Sequence, residues 1–236
     1  VGGDEIGWVL ADHILDLTAG DDRLVVTTLV SSSLLGVMAT DHGVQFAETF
    51  TGFKWIGRAI LERPELRCVF AYEQALGYLV APRPLDKDGI SAAVLMAEIA
   101  ALAAAEGTSV QGRLDDLAAR YGRHVTVERS VSMDPSTAMT LVGRLEQQPP
   151  TELAGHAVSE VVSFPEANLL RLVLDGGIRL QVRPSGTEPK VKLYAEAIDL
   201  DPTPALEALQ TVLKRFQGPD LGPNPQENRK ERRRSS

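Results

Sequence analysis

Close to the C-terminal end of the chain, RPSGTEPK (residues 183–190) sets Arg183, Ser185, Thr187 and Lys190 around Gly186. A guanidinium matches phosphate in bidentate geometry. Two hydroxyls and the backbone amides beside a glycine can line one concavity with donors. The flanking runs, residues 178–182 and 191–197, alternate apolar and polar residues and read as half-buried strands. Alternation puts Arg183 on the face opposite Ile178, Leu180 and Val182, pointing away from the local core. A hairpin turn alone calls for Pro and Gly, not for Arg, Ser and Thr together. The turn therefore reads as a phosphate cradle, with Lys190 either assisting or simply exposed.

Three other polar turns fall where strands hand over to helices, the edge at which α/β sheets bind ligands. Ser31-Ser32-Ser33 could receive an anion at a helix N-terminus, but ordinary N-capping is the preferred reading. In the second turn, Thr51-Gly52-Phe53-Lys54, the glycine lets backbone approach a ligand and Lys54 offers a point charge. A surface lysine opening a helix explains that pattern equally well. The third, EQALGY (residues 73–78), ends a hydrophobic strand on Glu73 and follows it with Gly77, which permits a tight turn. A carboxylate there can accept hydrogen bonds from vicinal hydroxyls, as on a sugar; a cap or an ion pair is the alternative.

The elements that must position these groups follow two rhythms. In residues 1–134, helical periodicity over 4–18 precedes strands at 23–30, 44–50 and 66–73. Helices fall between the strands, and two more follow, one capped by Asp88 and running to about residue 106 and one over 110–121. This alternation predicts an α/β domain with a mostly parallel sheet, whose first 20 residues could instead end a preceding domain. HVTVERSVSM (residues 124–133) reads as an extended link. Residues 135–218 predict a helix, four strands and a closing helix over 203–217, with a hairpin signal at Asp175-Gly176-Gly177. That is a small α+β domain with a four-stranded, mostly antiparallel sheet. Residues 219–236 are rich in Pro, Asn and charge and read as a disordered basic tail.

Composition narrows the function further. The chain has 236 residues and a formal net charge of −8, and the basic tail leaves the acidic excess on the body. Such a body repels nucleic acid, which calls for a broad basic face. No apolar stretch is long enough for a membrane-spanning helix, and no signal peptide is visible. The single cysteine, Cys68, lies in an apolar run and reads as a buried thiol of a reduced, cytoplasmic protein. The histidines His13, His42, His124 and His156 have no metal-ligand spacing. The chain opens on Val1-Gly2-Gly3 and runs straight into a helical pattern, which reads as a piece of a longer protein.

RPSGTEPK resembles the phosphate-binding loop in the C-terminal domain of the α-D-phosphohexomutases. TGFKWIG (51–57) and FAYEQALGYLVAPRPLDKDGISAAVLMAEIA (70–100) resemble the third domain of that family, closest to its phosphoglucomutase/phosphopentomutase branch. The likeness covers nearly the whole chain except the tail. It implies a four-domain enzyme around one cleft, in which a phosphoserine of the first domain and Mg²⁺ on an aspartate-rich loop of the second perform the transfer. Phosphate then moves between positions 1 and 6, or 1 and 5 in a pentose, through a bisphosphosugar that also serves as activator. Carried over by resemblance, Glu73, Lys54 and Gly77 contact the sugar, while Arg183, Ser185, Gly186, Thr187 and Lys190 hold the phosphate. Many hexose-specific members have a serine two positions after the glutamate; here it is Ala75, so one hydroxyl contact is missing. Neither the phosphoserine motif nor the metal loop is present, so no catalytic or metal-ligating residue is assigned, and Asp4 is not taken as a ligand. The expectation is the C-terminal half of a phosphosugar mutase, whose partners are a phosphosugar and the missing N-terminal domains. A non-catalytic phosphosugar-binding module is the alternative.

Overall fold

The computed structural model describes residues 1–81, 83–185 and 188–216. They divide into two compact units, Val1–His124 and a second from Val125 onward. The expected basic tail, Gln217 of the expected last helix, and Gly186 and Thr187 of the turn lie outside the described residues.

The first unit runs α1 (Gly3–Leu17), β1 (Arg23–Thr28), α2 (Leu34–Asp41), β2 (Gln45–Thr49), α3 (Phe53–Leu61), β3 (Arg67–Glu73), β4 (Gly77–Leu79), α4 (Gly89–Ala105) and α5 (Val110–Tyr121). Its sheet has the order β2-β1-β3-β4, with β1 parallel to both neighbours and β4 antiparallel to β3. All six residues of β1 are buried, as expected of a strand covered on both faces. Val25 joins a core formed with α1, α2, α4 and α5. Its neighbours Leu24 and Val26 join a second core under α3. Helices thus cover both faces, and the ends of β1, β2 and β3 share one edge.

The buried Asp4 accepts the N–H of Ser32 at 2.9 Å and the hydroxyl of Tyr72 at 2.8 Å. It ties the start of α1 to the turn after β1 and to β3. An acid buried among fixed donors is satisfied by them, so its part here is structural.

The second unit runs β5 (His124–Ser132), α6 (Pro135–Gln147), β6 (Glu152–Leu153), β7 (His156–Phe164), β8 (Leu169–Leu174), β9 (Ile178–Pro184), β10 (Lys190–Ile198) and α7 (Thr203–Phe216). The sheet order is β5-β10-β9-β8-β7-β6, and the pairings from β10 through β6 are antiparallel. This corrects the expected four-stranded sheet to six strands. The stretch read as an extended link is an edge strand, because Val127 and Val131 alternate inward onto the core. The sixth strand has only two residues, too few for a periodic signal. Gly176 and Gly177 both take positive φ in the β8–β9 hairpin, the conformation their pairing signalled. On the inner face Leu172, Leu180, Val182 and Leu193 pack with Leu141 of α6 and Leu209 of α7.

Candidate functional site

Glu73 ends β3 at the shared strand edge and is 5% exposed. One carboxylate oxygen, Oε1, accepts the backbone N–H of Gly52 at 2.5 Å. The other, Oε2, lies 3.9 Å from Nζ of Lys87. Gly52 has φ +116° and precedes α3; this conformation, which side chains rarely adopt, turns its amide toward Glu73. Gly77 pairs with Glu73 across the β3–β4 hairpin. A Cβ at Gly77 would lie 3.2 Å from the Phe53 ring and 3.3 Å from Cδ of Lys87, so the position is nearly closed to a side chain. Glu73, Gly77, Gly52, Phe53 and Lys87 therefore form one cluster.

Lys54 stands apart from it. The residue is exposed, with Nζ 5.2 Å from the centre of the Trp55 ring. Trp55 meets Phe50 edge-on at 5.2 Å and has Arg58 on its ring at 5.8 Å. The lysine thus caps an aromatic patch at the start of α3, on the turn that Gly52 anchors to Glu73.

The serine turn after β1 is committed internally. Ser31 exchanges a 2.9 Å hydrogen bond with the Thr28 hydroxyl and accepts the Gln74 N–H at 3.3 Å. Ser32, not Ser33, supplies the oxygen that accepts the Leu34 N–H, at 3.1 Å. Asp88 caps α4 as its sequence position implies, accepting from Ile90 and Ser91. The Ser91 hydroxyl above all, together with these amides, holds its carboxyl below the usual range.

In the second unit, Arg183 lies on the outer face of β9, while Ile178, Leu180 and Val182 are buried in the core. The turn closes through Ser185 N–H to Lys190 O at 2.9 Å, and the Ser185 hydroxyl accepts the Glu188 N–H at 3.2 Å. Lys190 pairs with Glu188 at 2.7 Å; this pairing keeps the exposed Glu188 carboxyl below its usual range. Directly opposite Arg183 in the β9–β10 register stands Lys192, whose Nζ meets Oε1 of Glu128 on β5 at 2.7 Å. Arg183 itself has neither hydrogen bond nor ion pair among the described residues. A half-exposed guanidinium with no carboxylate, at the base of a turn carrying a hydroxyl, is suited to an external anion.

Sequence reading missed three charged groups here. Lys87 carries no signal in the sequence, because its contact with Glu73 depends on the β4 hairpin. Lys192 was legible in principle, since it is two residues from Lys190 and opposite Arg183. Glu128 was hidden by the reading of its strand as a link. Among the described residues no group of three or more His, Cys, Asp or Glu side chains could hold a metal ion. The Mg²⁺ that the resemblance implies therefore has no fitting group of ligands among the described residues.

An α/β/α unit followed by a helix-backed antiparallel unit with an anion-suited turn defines a two-domain architecture. Residues 2–121 match the model of the phosphoglucomutase/phosphomannomutase α/β/α domain III, and residues 141–208 match that family's C-terminal domain. The chain belongs to the phosphoglucomutase/phosphomannomutase family, whose third and C-terminal domains it contains. It is 35% identical over 206 residues to a probable phosphomannomutase of Haemophilus influenzae, covering 85% of this chain and 40% of that protein. It is 32% identical over 209 residues to a phosphopentomutase of Mus musculus, covering 74% of this chain and 32% of that one. A putative phosphomannomutase from Thermus thermophilus shares the fold with a TM-score of 0.66 at 19% identity, over 90% of this chain and 41% of its own. The chain thus spans about two fifths or less of the length of these relatives.

Proposed function

We propose that this chain is the sugar- and phosphate-binding half of a phosphosugar mutase. The complete enzyme would move a phosphoryl group between C1 and C6, or C5 of a pentose, through a bisphosphate intermediate. The observation that carries this reading is Arg183, unpaired among the described residues and set at the base of the Ser185 turn. In this proposal Arg183, Ser185, Gly186, Thr187 and Lys190 take the phosphate that is not reacting. Glu73 accepts from sugar hydroxyls with the lone pairs that Gly52 and Lys87 leave open, while Gly77 keeps its surroundings narrow and Lys54 adds a cation at the adjoining turn. Phosphoryl transfer depends mainly on positioning and charge neutralisation, and these residues supply the positioning. The phosphoserine, the Mg²⁺ and the bisphosphosugar activator belong to the complete enzyme, which we place in the cytoplasm. On its own the chain binds and does not turn over.

Calorimetric titration of the 236-residue chain with glucose 6-phosphate tests the assignment. Arg183→Ala is expected to lose about 2 kcal/mol of binding, the scale of a charge-assisted contact, with an unchanged circular dichroism spectrum. Equal affinity in the variant would remove Arg183 from the site. Glucose, mannose and ribose 1-phosphates compared in the complete enzyme would establish the sugar; Ala75 leads us to expect no strict preference for a hexose.

A further inference from the structure

Three cations flank the turn of residues 183–190, and they are not equivalent. Lys190 is held by Glu188 and Lys192 by Glu128, each across 2.7 Å, whereas Arg183 has no such partner among the described residues. Arg183 and Lys192 are direct cross-strand neighbours. Such pairs bring Cβ atoms to about 5 Å, and like charges placed there repel. Glu128 reaches in from β5, outside the turn, and neutralises one of the two. Its side chain is 39% exposed and that of Lys192 24%, so the pair is accessible to solvent and can exchange partners. A carboxylate offers two anionic oxygens, as a phosphate does, and therefore competes with it for the same ammonium group.

Resting on the phosphate-site reading above, we propose that Glu128 is a positioning residue that restrains the site's grip on its anion. It holds Lys192 against the ligand's claim, so that Arg183 supplies the main cation and Lys192 a weaker, contested one. A site that must receive and then release the same phosphoryl-bearing sugar benefits from a cation whose hold can be surrendered. Removing the competitor should tighten binding, the reverse of what damage to a structural ion pair would do.

The experiment titrates inorganic phosphate into the full chain at low salt, following amide shifts by NMR, for wild type, Arg183→Ala, Glu128→Gln, Lys192→Met and the Glu128→Gln/Lys192→Met double variant. Glu128→Gln should bind phosphate about threefold more tightly, with the gain shrinking in roughly 0.5 M salt as exposed charges are screened. In the Lys192→Met background the same substitution should add nothing. Unchanged or weaker binding by Glu128→Gln, while Arg183→Ala still weakens it, overturns the proposal and leaves the phosphate site standing. An equal gain without Lys192 overturns it too, since the carboxylate would then act on the anion through space. Binding that ignores Arg183→Ala refutes the site itself, and this proposal with it.

Discussion

Gly52 donates its amide N–H to Oε1 of Glu73 across 2.5 Å, joining the turn after β2 to the end of β3. The bond passes over β1, which lies between the two strands, so one carboxylate fixes two of the turns at the ligand edge relative to each other. Replacing Glu73 separates its two roles. Glu73→Ala leaves the Gly52 amide without its acceptor and should cost about 1 kcal/mol of stability. Glu73→Gln keeps an acceptor and should cost less. Both should weaken glucose 6-phosphate binding. Urea midpoints and titration calorimetry on the two variants check the split; equal destabilisation by both would show that charge, not the hydrogen bond, holds the turn.

Lys87 makes the opposite prediction. Its side chain is 56% exposed and its nitrogen lies 3.9 Å from the carboxylate, a distance and setting in which an ion pair contributes little to folding. Lys87→Met should shift stability by under about 0.5 kcal/mol while lowering affinity for glucose 6-phosphate several-fold. A variant that binds as wild type does would leave Lys87 with no part in the site.

The order of elements was legible because long periodic segments and their punctuation agree. Asp88 and Ser109 cap the helices they precede, and Arg183 alternates outward as the strand pattern requires. What sequence concealed depends on tertiary pairing. The role of Val127 and Val131 emerges only when an edge strand joins β10, and that of Lys87 only when β4 folds back on β3. Ser31-Ser32-Ser33 reads as a capping turn without naming the serine that acts; Ser32 makes the bond, since a cap is a matter of backbone angle and residue type alone allows any of the three. Gly3 and Gly7 carry no signal of their own in a helical pattern, although both sit where the helix touches its neighbours.

Gly7 gives the stability test of that packing. A Cβ there would fall 2.8 Å from the Tyr72 ring, and Tyr72 is fully buried and hydrogen-bonded to Asp4. The ring cannot withdraw without breaking that bond. Alanine normally favours a helix over glycine by about 1 kcal/mol, but overpacking a rigid core costs roughly 1–3 kcal/mol. The second effect should win, and Gly7→Ala should lower the denaturation midpoint. A raised midpoint would show that α1 can shift away from β3 at no cost.

Cys68 supplies a prediction with a pH sign. Burial pushes its thiol up to about 12, against a smaller opposing effect from a backbone hydrogen bond at Phe70. In the unfolded chain the group ionises near its ordinary value of 9.0. Below that value the thiol is neutral in both states and favours neither. As pH rises beyond it, the unfolded state loses its proton first, so stability should fall progressively up to about pH 12. The thiolate is the reactive form, and at about pH 8 only about one native molecule in ten thousand would carry it on these ionisation constants. An aromatic disulfide reagent should therefore leave the native protein almost unlabelled at that pH and react fully in denaturant. Rapid labelling of the native chain would mean that β3, and with it the strand that ends in Glu73, opens far more often than its burial allows.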